Sequence, residues 1–506
     1  MDQPQDSITW TDGDVLCTDL PTTPKPDLGK VLVTGATGYI GGRLVPELLA
    51  RGYSVRIMVR ADSDEYLERW PGAEVVAADS LDIVQLREAL NGIEVAYYLI
   101  HSMLLGRREF ELADIEAAKN FRKAAEEKNL KRIIYLGGLG NIQTNLSNHL
   151  KSRMKVAEEL SAGEIPVTIL RAAIIIGSGS ASFEIIEHLV RKTPIFFNPH
   201  WARTRCQPIG LRDVIKYLVG VLETDETVGE VYDIGGTDIL TYEEMMKVLA
   251  KLLGKKRLIF SSPFSSVRFY SYVASLITPV PAQVISCLME GTRNEVICQN
   301  DDIRKVIPFR LLPYKESLLR AMSREDHDKI ATRWSDAYPP AHELSIKLSE
   351  LETPPRFIST YALPSTKSES ALFQSICLIG GREGWFNSNW MWRLRGMLDR
   401  ILMGVGTSRG RRSSYYLRIN DVIDFWRVED LKQDQCLLLR AEMKVPGKAW
   451  LKFQVVPEKE KNILSVTAYF EPNGIWGKIY WYTFLPFHYY IFRDLVKQLE
   501  KRSKRI

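Results

Sequence analysis

The residues best suited to chemistry stand near the start of the chain. Leu32-Val33-Thr34-Gly35-Ala36-Thr37-Gly38-Tyr39-Ile40-Gly41 spaces three glycines as G-x-x-G-x-x-G, with an apolar run before them and an amphipathic run after. That is the setting in which a strand-to-helix turn wraps a pyrophosphate. Gly35 permits the tight turn, Gly38 lets the backbone approach phosphate oxygens, and Gly41 lets the helix close on the strand, with the helix N-terminus favouring negative charge. Ala36, Thr37, Tyr39 and Ile40 complete the loop. At the end of the second strand a carboxylate binds ribose hydroxyls, whereas an arginine accepts a 2′-phosphate. Arg60 occupies that position, in Val59-Arg60-Ala61-Asp62, which favours NADP. NAD stays open, because Asp62 is close enough to serve a ribose.

Such a loop needs a sheet to hold it. Segments 31–34, 54–59, 73–77, 95–100, 132–136 and 167–171 read as strands, with helical patterns at 42–51, 83–90 and 113–128 between them. Strict alternation implies an α/β, doubly wound parallel sheet of Rossmann type. Helices are expected at 211–223 and 242–253, and an irregular, proline-broken extension on the substrate side at 259–335. The predicted organisation is a flexible arm (1–28), a dinucleotide-binding domain (29–258), the extension (259–335), a Pro- and Ser-rich linker (336–370) and a C-terminal domain (371–506). In that last domain the period becomes two at 437–443, 447–455 and 464–470, bounded by helices at 390–402 and about 474–502, so it reads as an α+β antiparallel sheet gripping a long helix.

Composition separates the same two parts. With 506 residues, 45% apolar and 10% aromatic, the chain is a folded protein of several domains. The net charge of +5 divides unevenly: residues 350–506 carry 25 Lys plus Arg against 16 Asp plus Glu, and residues 1–349 carry 42 against 46. Seven of eleven tryptophans lie in residues 385–506. The small net charge, with no recognised binding motif beside it, excludes nucleic acid as a partner. Six scattered cysteines show no metal-ligand spacing, so no metal is expected and a reducing compartment fits. The acidic, polar start points to the cytoplasm.

The motif Thr34-Gly35-Ala36-Thr37-Gly38-Tyr39-Ile40-Gly41, Ala78-Asp79-Ser80, Asn120, Leu170-Arg171 and Arg205-Cys206-Gln207-Pro208-Ile209 before Asp213-Val214 resemble the atypical short-chain dehydrogenase/reductases. The likeness is strongest to the NmrA-like and complex I 39-kDa-subunit-like branches and covers about 29–260. The resemblance implies that Asp79 and Ser80 lie near the adenine, and that Ile100-His101-Ser102-Met103 passes the nicotinamide ribose. The whole chain resembles bacterial NAD(P)-binding proteins that join this domain to an uncharacterised domain similar to START-like helix-grip folds, whose cup holds apolar ligands.

The family's chemistry requires a tyrosine to exchange a proton with the substrate oxygen and a lysine one turn later to lower its pKa. None of the 21 tyrosines has lysine four residues on. The helix that should carry the pair reads Asn148-His149-Leu150-Lys151-Ser152-Arg153, and Leu136-Gly137-Gly138-Leu139-Gly140 replaces the expected serines. His149 and Arg153, at i and i+4, share a helix face, so an imidazole donor with a guanidinium holding the ribose would make an oxidoreductase for an apolar carbonyl or quinone-like substrate. The alternative is an NAD(P)H-binding redox sensor or assembly factor without hydride chemistry. Both stay open, as does another reaction such as isomerisation.

Three features of the C-terminal domain invite partners. Its aromatics suit either a filled core or a cup for a small apolar ligand. Segment 475–492, with Lys501-Arg502-Ser503-Lys504-Arg505 beyond it, suits a helix buried in its own domain or peripheral membrane contact; Lys478, His488 and Pro486 argue against spanning. Arg409-Gly410-Arg411-Arg412 reads as a solvated loop or as a clamp for an anionic ligand or lipid head group.

Overall fold

The computed structural model describes residues 17–503 apart from 61–63, 102–106, 141–146, 327–331, 338–345, 382, 403, 408, 414–415 and 460. Lys30–Val33, Ser54–Val59, Glu74–Ala77, Val95–Tyr98, Arg132–Gly138, Val167–Ala172 and Val231–Ile234 form one seven-stranded sheet. Every neighbouring pair is parallel. In space the order is third, second, first, fourth, fifth, sixth, then Val231–Ile234 at the far edge. The order therefore reverses between Lys30–Val33 and Val95–Tyr98, which is where a doubly wound sheet leaves a crevice for its ligand.

Both faces of this sheet are covered, which is why its strands read as continuous apolar runs rather than as an alternation. Val31, Val33, Tyr97 and Leu170 pack on one side with Leu44 and Leu218, and Leu32, Ala96, Tyr98 and Ile133 pack on the other with Phe121 and Leu160. Side-chain caps set several helix starts: Asp82 accepts from the amides of Val84 and Gln85, Ser147 from Leu150, and Ser180 from Phe183. Thr241 and Glu244 form a reciprocal capping box.

The extension is more regular than its prolines suggest. Helices Val267–Ile277, Ala282–Gly291, Asp302–Val306 and Tyr314–Asp326 occupy it. Pro281 caps the second of these and Pro313 immediately precedes the last, positions where a missing N–H costs nothing. The expected linker is also partly structure. Phe357–Ser365 runs antiparallel to Asn462–Pro472 along its whole length, so the C-terminal sheet begins before residue 371. Its Pro364 and alternating exposure made it resemble a linker, and both suit an edge strand.

The C-terminal sheet is six-stranded and antiparallel, in the order Phe357–Ser365, Asn462–Pro472, Gly447–Pro457, Cys436–Ala441, Trp426–Lys432, Val422–Ile423. Helix Gly474–Arg502 lays Phe492, Leu495, Val496 and Leu499 on its inner residues Leu437, Leu451, Phe453 and Val466. This arrangement is compatible with a helix grip. Among the described residues no helix is long and apolar enough to cross a membrane.

The arginine cluster is not a solvated loop. Arg409 pairs with buried Glu442 at 2.7 Å, Arg412 with Asp421 at 2.7 Å, and Arg411 donates to the carbonyls of Cys377 and Ile379. Local polarity suggested water; the fold instead uses these charges to tie loops together, with Arg427 as the second partner of Glu442. Lys504 and Arg505 lie outside the described residues.

Candidate functional site

The glycine loop sits where the sheet order reverses. Gly35 has φ +62°, and a Cβ there would stand 2.6 Å from the carbonyl oxygen of Leu99 on the fourth strand's exit. A Cβ on Gly41 would stand 2.4 Å from the carbonyl oxygen of Gly35. Only glycine lets turn, helix and neighbouring strand approach this closely. Helix Gly41–Ala50 starts at Ile40 with no side-chain cap, unlike helices Ile83–Ala89 and Asn148–Ser161, and it has no acidic residue in its first turn. An uncapped N-terminus with bare backbone beside it fits a dinucleotide pyrophosphate.

The other expected cofactor residues gather around the same end of the sheet. Arg60 ends the second strand, solvent-exposed, with Asp79 and Tyr66 as its electrostatic neighbours. Asp79 accepts from the amide of Leu81 at 2.9 Å, and Asn120 donates to the Leu81 carbonyl at 3.1 Å, so the turn holding Ser80 is braced from helix Arg107–Glu127. Thr37 faces a small polar recess with Tyr66 and Arg69 from the first domain and Asp336, Arg412 and Arg418 from beyond it. Asn420 donates to the Tyr66 hydroxyl at 3.2 Å, so the C-terminal domain touches the first domain beside the phosphate loop. Ser102 lies outside the described residues.

His101 and His149 meet at the inner end of this crevice, ring centroids 5.0 Å apart. His101 Nδ1 lies 3.2 Å from the Asp114 carboxylate, and Asp114 is buried. Arg153 donates to the Leu136 carbonyl at 2.8 Å, and its own carbonyl accepts from the Tyr135 hydroxyl at 3.2 Å. Burial pushes the pKa of both histidines well below the usual value, and the Arg153 charge lowers them further. Both rings are therefore neutral at pH 7. A neutral imidazole is a poor source of a whole proton but can donate a hydrogen bond to a developing oxyanion.

The crevice is part of a cavity of about 870 Å³. Gly35, Gly38, Tyr39, His101, His149 and Arg153 line it together with the apolar Phe196, Trp201, Met246 and Tyr270. Two contributors had no sequence signal. Asp114 sits in an ordinary helical pattern, and only the fold brings it against His101. The segment after residue 331 forms a strap: Thr332 donates to the Tyr39 carbonyl at 2.9 Å and receives from Arg43 Nε at 2.9 Å, and Trp334 Nε1 donates to Glu184 at 2.8 Å while lining the cavity.

Comparison with known proteins agrees with the geometry of the first domain. Residues 35–188 match a family described as NAD(P)H-binding, and residues 354–495 match a protein family of unknown function. The chain is 25% identical over 258 residues to divinyl chlorophyllide a 8-vinyl-reductase of Cucumis sativus, covering 47% of this chain and 61% of that one. It is 25% identical over 227 residues to NADH dehydrogenase [ubiquinone] 1 alpha subcomplex subunit 9 of Dictyostelium discoideum, covering 43% and 62%. The chain thus spans about three fifths of the length of these curated relatives. Among solved structures it is similar to the Citrobacter sp. triphenylmethane reductase complexed with NADP(H), at 20% identity and a TM-score of 0.48, over 58% of this chain and 99% of that one.

Proposed function

Because residues 35–188 form an NAD(P)H-binding domain of the atypical short-chain dehydrogenase/reductase type, we propose that the chain is an NADPH-dependent reductase of an apolar carbonyl or quinone-like substrate. The observation that carries this reading is a single cavity of about 870 Å³ lined both by the glycine loop and by His149, Arg153 and apolar side chains such as Phe196, Trp201, Met246 and Tyr270. A dinucleotide that only signalled would not need apolar walls of that extent beside its phosphate loop.

Gly35, Gly38 and Gly41 would hold the pyrophosphate, Arg60 the 2′-phosphate, and Asp79 and Ser80 the adenine side. NADPH held there would supply the hydride, leaving a negative charge on the substrate oxygen. His149 would donate a hydrogen bond to that oxygen, and the proton that completes the alcohol would come from solvent as the product leaves. His101 is oriented by Asp114 and supports the second ring, and Arg153 adds a fixed positive charge that favours the same anion. The aromatic walls exclude water, which strengthens each of these interactions.

NADPH oxidation followed at 340 nm with hydrophobic quinones, enones and aldehydes tests the proposal. Removing one oxyanion donor lowers turnover ~100-fold, so His149→Ala should do so while leaving NADPH affinity within a few-fold. Unchanged turnover in that variant removes His149 from the mechanism. Tight NADPH binding with no turnover on any of these substrates favours the second reading, a cofactor-binding sensor or assembly factor, which the absence of the family's Tyr, Lys and Ser supports.

A further inference from the structure

Large apolar side chains in contact with solvent are concentrated on one connected set of elements. Ile195, Phe197, Phe264 and Phe269 are all exposed, Phe197 at 62%, and all four line the large cavity, so they rim its mouth. They come from strand Ile195–Pro199, the turn after strand Leu258–Ser262, and helix Val267–Ile277. That helix is tied to helix Asn389–Ile401: Arg400 donates to the Leu276 carbonyl at 2.7 Å, and the Tyr272 hydroxyl to the Ile401 carbonyl at 3.4 Å. Helix Asn389–Ile401 in turn leaves Trp390, Leu394, Met397, Leu398 and Ile401 in solvent.

A second cavity, of about 260 Å³, lies between this helix and the C-terminal helix, beneath Trp426, Phe470 and Trp481. Exposed Trp390, Leu394, Leu398 and Phe487 line it and so rim its mouth. On the first half of the C-terminal helix, Ile475, Trp476, Ile479, Tyr482, Tyr489 and Tyr490 are exposed, Trp476 at 72%. Leaving so many rings in water is costly for a free monomer, whose exposed apolar side chains are ordinarily scattered.

Charge identifies what covers this face. Helices Val267–Ile277 and Asn389–Ile401 and residues 474–491 contain Arg268, Arg393, Arg395, Arg400 and Lys478. Their one carboxylate, Asp399, is fully buried and accepts from the amides of Gly406 and Lys444. Strands Ile195–Pro199 and Leu258–Ser262 carry no charge at all. Arg395 is ion-paired with Asp399 and Arg400 is spent on backbone carbonyls, so the charges left toward solvent on these elements are exposed Arg268 and Arg393 and half-exposed Lys478. Aromatics and aliphatics with only positive charge among them match an anionic lipid surface better than a second copy of the same face. Trp and Tyr are also the side chains that suit the headgroup layer.

We propose that this face rests on a phospholipid bilayer containing anionic lipid, so that both cavity mouths open toward the acyl layer and apolar ligands enter from lipid rather than from water. The chain lies on the membrane without crossing it. This does not rest on the reductase reading; a binding-only protein would use the same face to sample lipid-dissolved ligands.

Co-sedimentation of the full chain with vesicles of phosphatidylcholine, and of phosphatidylcholine with 30% phosphatidylglycerol, tests it. The expected result is binding to the mixed vesicles with a blue shift of tryptophan emission, weakened several-fold in 0.5 M salt. The double substitution Met397→Glu with Trp476→Glu, which touches neither cavity wall, should weaken vesicle binding at least tenfold with NADPH affinity unchanged. A wild-type chain that stays in the supernatant with both vesicles overturns the proposal. So does a double variant that binds vesicles like the wild type, or light scattering that finds a dimer dispersed by the same substitutions while vesicles bind neither form.

Discussion

Gly38 and Gly41 lie three residues apart in one loop, yet the structure separates what each does. An alanine Cβ at Gly41 would stand 2.4 Å from the Gly35 carbonyl oxygen and 2.8 Å from the Ala36 Cα, where ordinary contact begins at 3.4 Å. Helix and loop would have to part by about 1 Å, and strain of this kind in a packed site costs ~1–3 kcal/mol. At ~2–4 °C per kcal/mol for a domain this size, Gly41→Ala should lower the first domain's melting temperature by roughly 2–12 °C without cofactor. The same displacement would stretch an amide-to-phosphate hydrogen bond beyond its working range, and losing one charge-assisted bond, worth ~1.5–3 kcal/mol, weakens NADPH by roughly 10- to 100-fold. At Gly38 the nearest atom to an added Cβ is the Gly35 carbonyl oxygen, at 3.1 Å, and nothing else lies within 4 Å. A shift of a few tenths of an ångström absorbs it. Gly38→Ala should therefore leave the melting temperature within ~2 °C, while its methyl group occupies the approach of the pyrophosphate and weakens NADPH at least ~10-fold. Scanning calorimetry without cofactor and fluorescence titration with NADPH measure the two effects separately. If Gly38→Ala binds NADPH like the wild type, the pyrophosphate does not pass over Gly38 and the assignment of this loop fails.

Further expectations follow from other parts of the molecule. Arg60→Asp should reverse the NADPH-to-NADH preference by at least ~10-fold in affinity ratio; an unchanged ratio removes Arg60 from the 2′-phosphate site. Glu442 is shared by Arg409 and Arg427, all three almost fully buried, so Glu442→Ala should cost ~3–5 kcal/mol in urea unfolding of the C-terminal domain by removing the carboxylate that both buried guanidinium groups share. His488 is held neutral by burial, its pKa pushed down to about 4. Its ring protonates in the unfolded chain first, so its stabilising contribution is complete above pH 6.5 and is lost as pH falls toward 4. The loss accumulates at ~1.4 kcal/mol per pH unit to roughly 3 kcal/mol. Unfolding of His488→Phe at pH 7.5 and 4.5 should show a smaller difference between the two pH values than the wild type does, and an identical difference would refute the burial argument.

The first domain was largely legible in the sequence because its signals are local. A strand, three glycines and a helix start are contiguous, and each fully buried strand declares itself as an apolar run. The sixth strand's partner, Val231–Ile234, left no comparable sign, since Val231 is exposed at the sheet edge. Strand Phe357–Ser365 was hidden by its proline and by its half-exposed pattern. Arg409, Arg411 and Arg412 looked solvated, because a basic run is polar wherever it lies, and only the positions of Glu442, Asp421 and the Cys377 carbonyl show them to be buried ties.

By itself the sequence determined the doubly wound sheet, the glycine loop, the place of the second domain, and the absence of a tyrosine–lysine pair. Each of these depends on neighbours in the chain or on residue type alone. Tertiary structure alone decided the rest. It set Asp114 behind His101 across 13 residues, kept both histidines neutral by removing water from around them, and passed Thr332 and Trp334 over a loop about 290 residues earlier in the chain. It also brought helix Val267–Ile277 against helix Asn389–Ile401, each with apolar side chains left in solvent. Burial, electrostatic environment and surface continuity belong to atoms close in space, and distance along the chain carries no record of them.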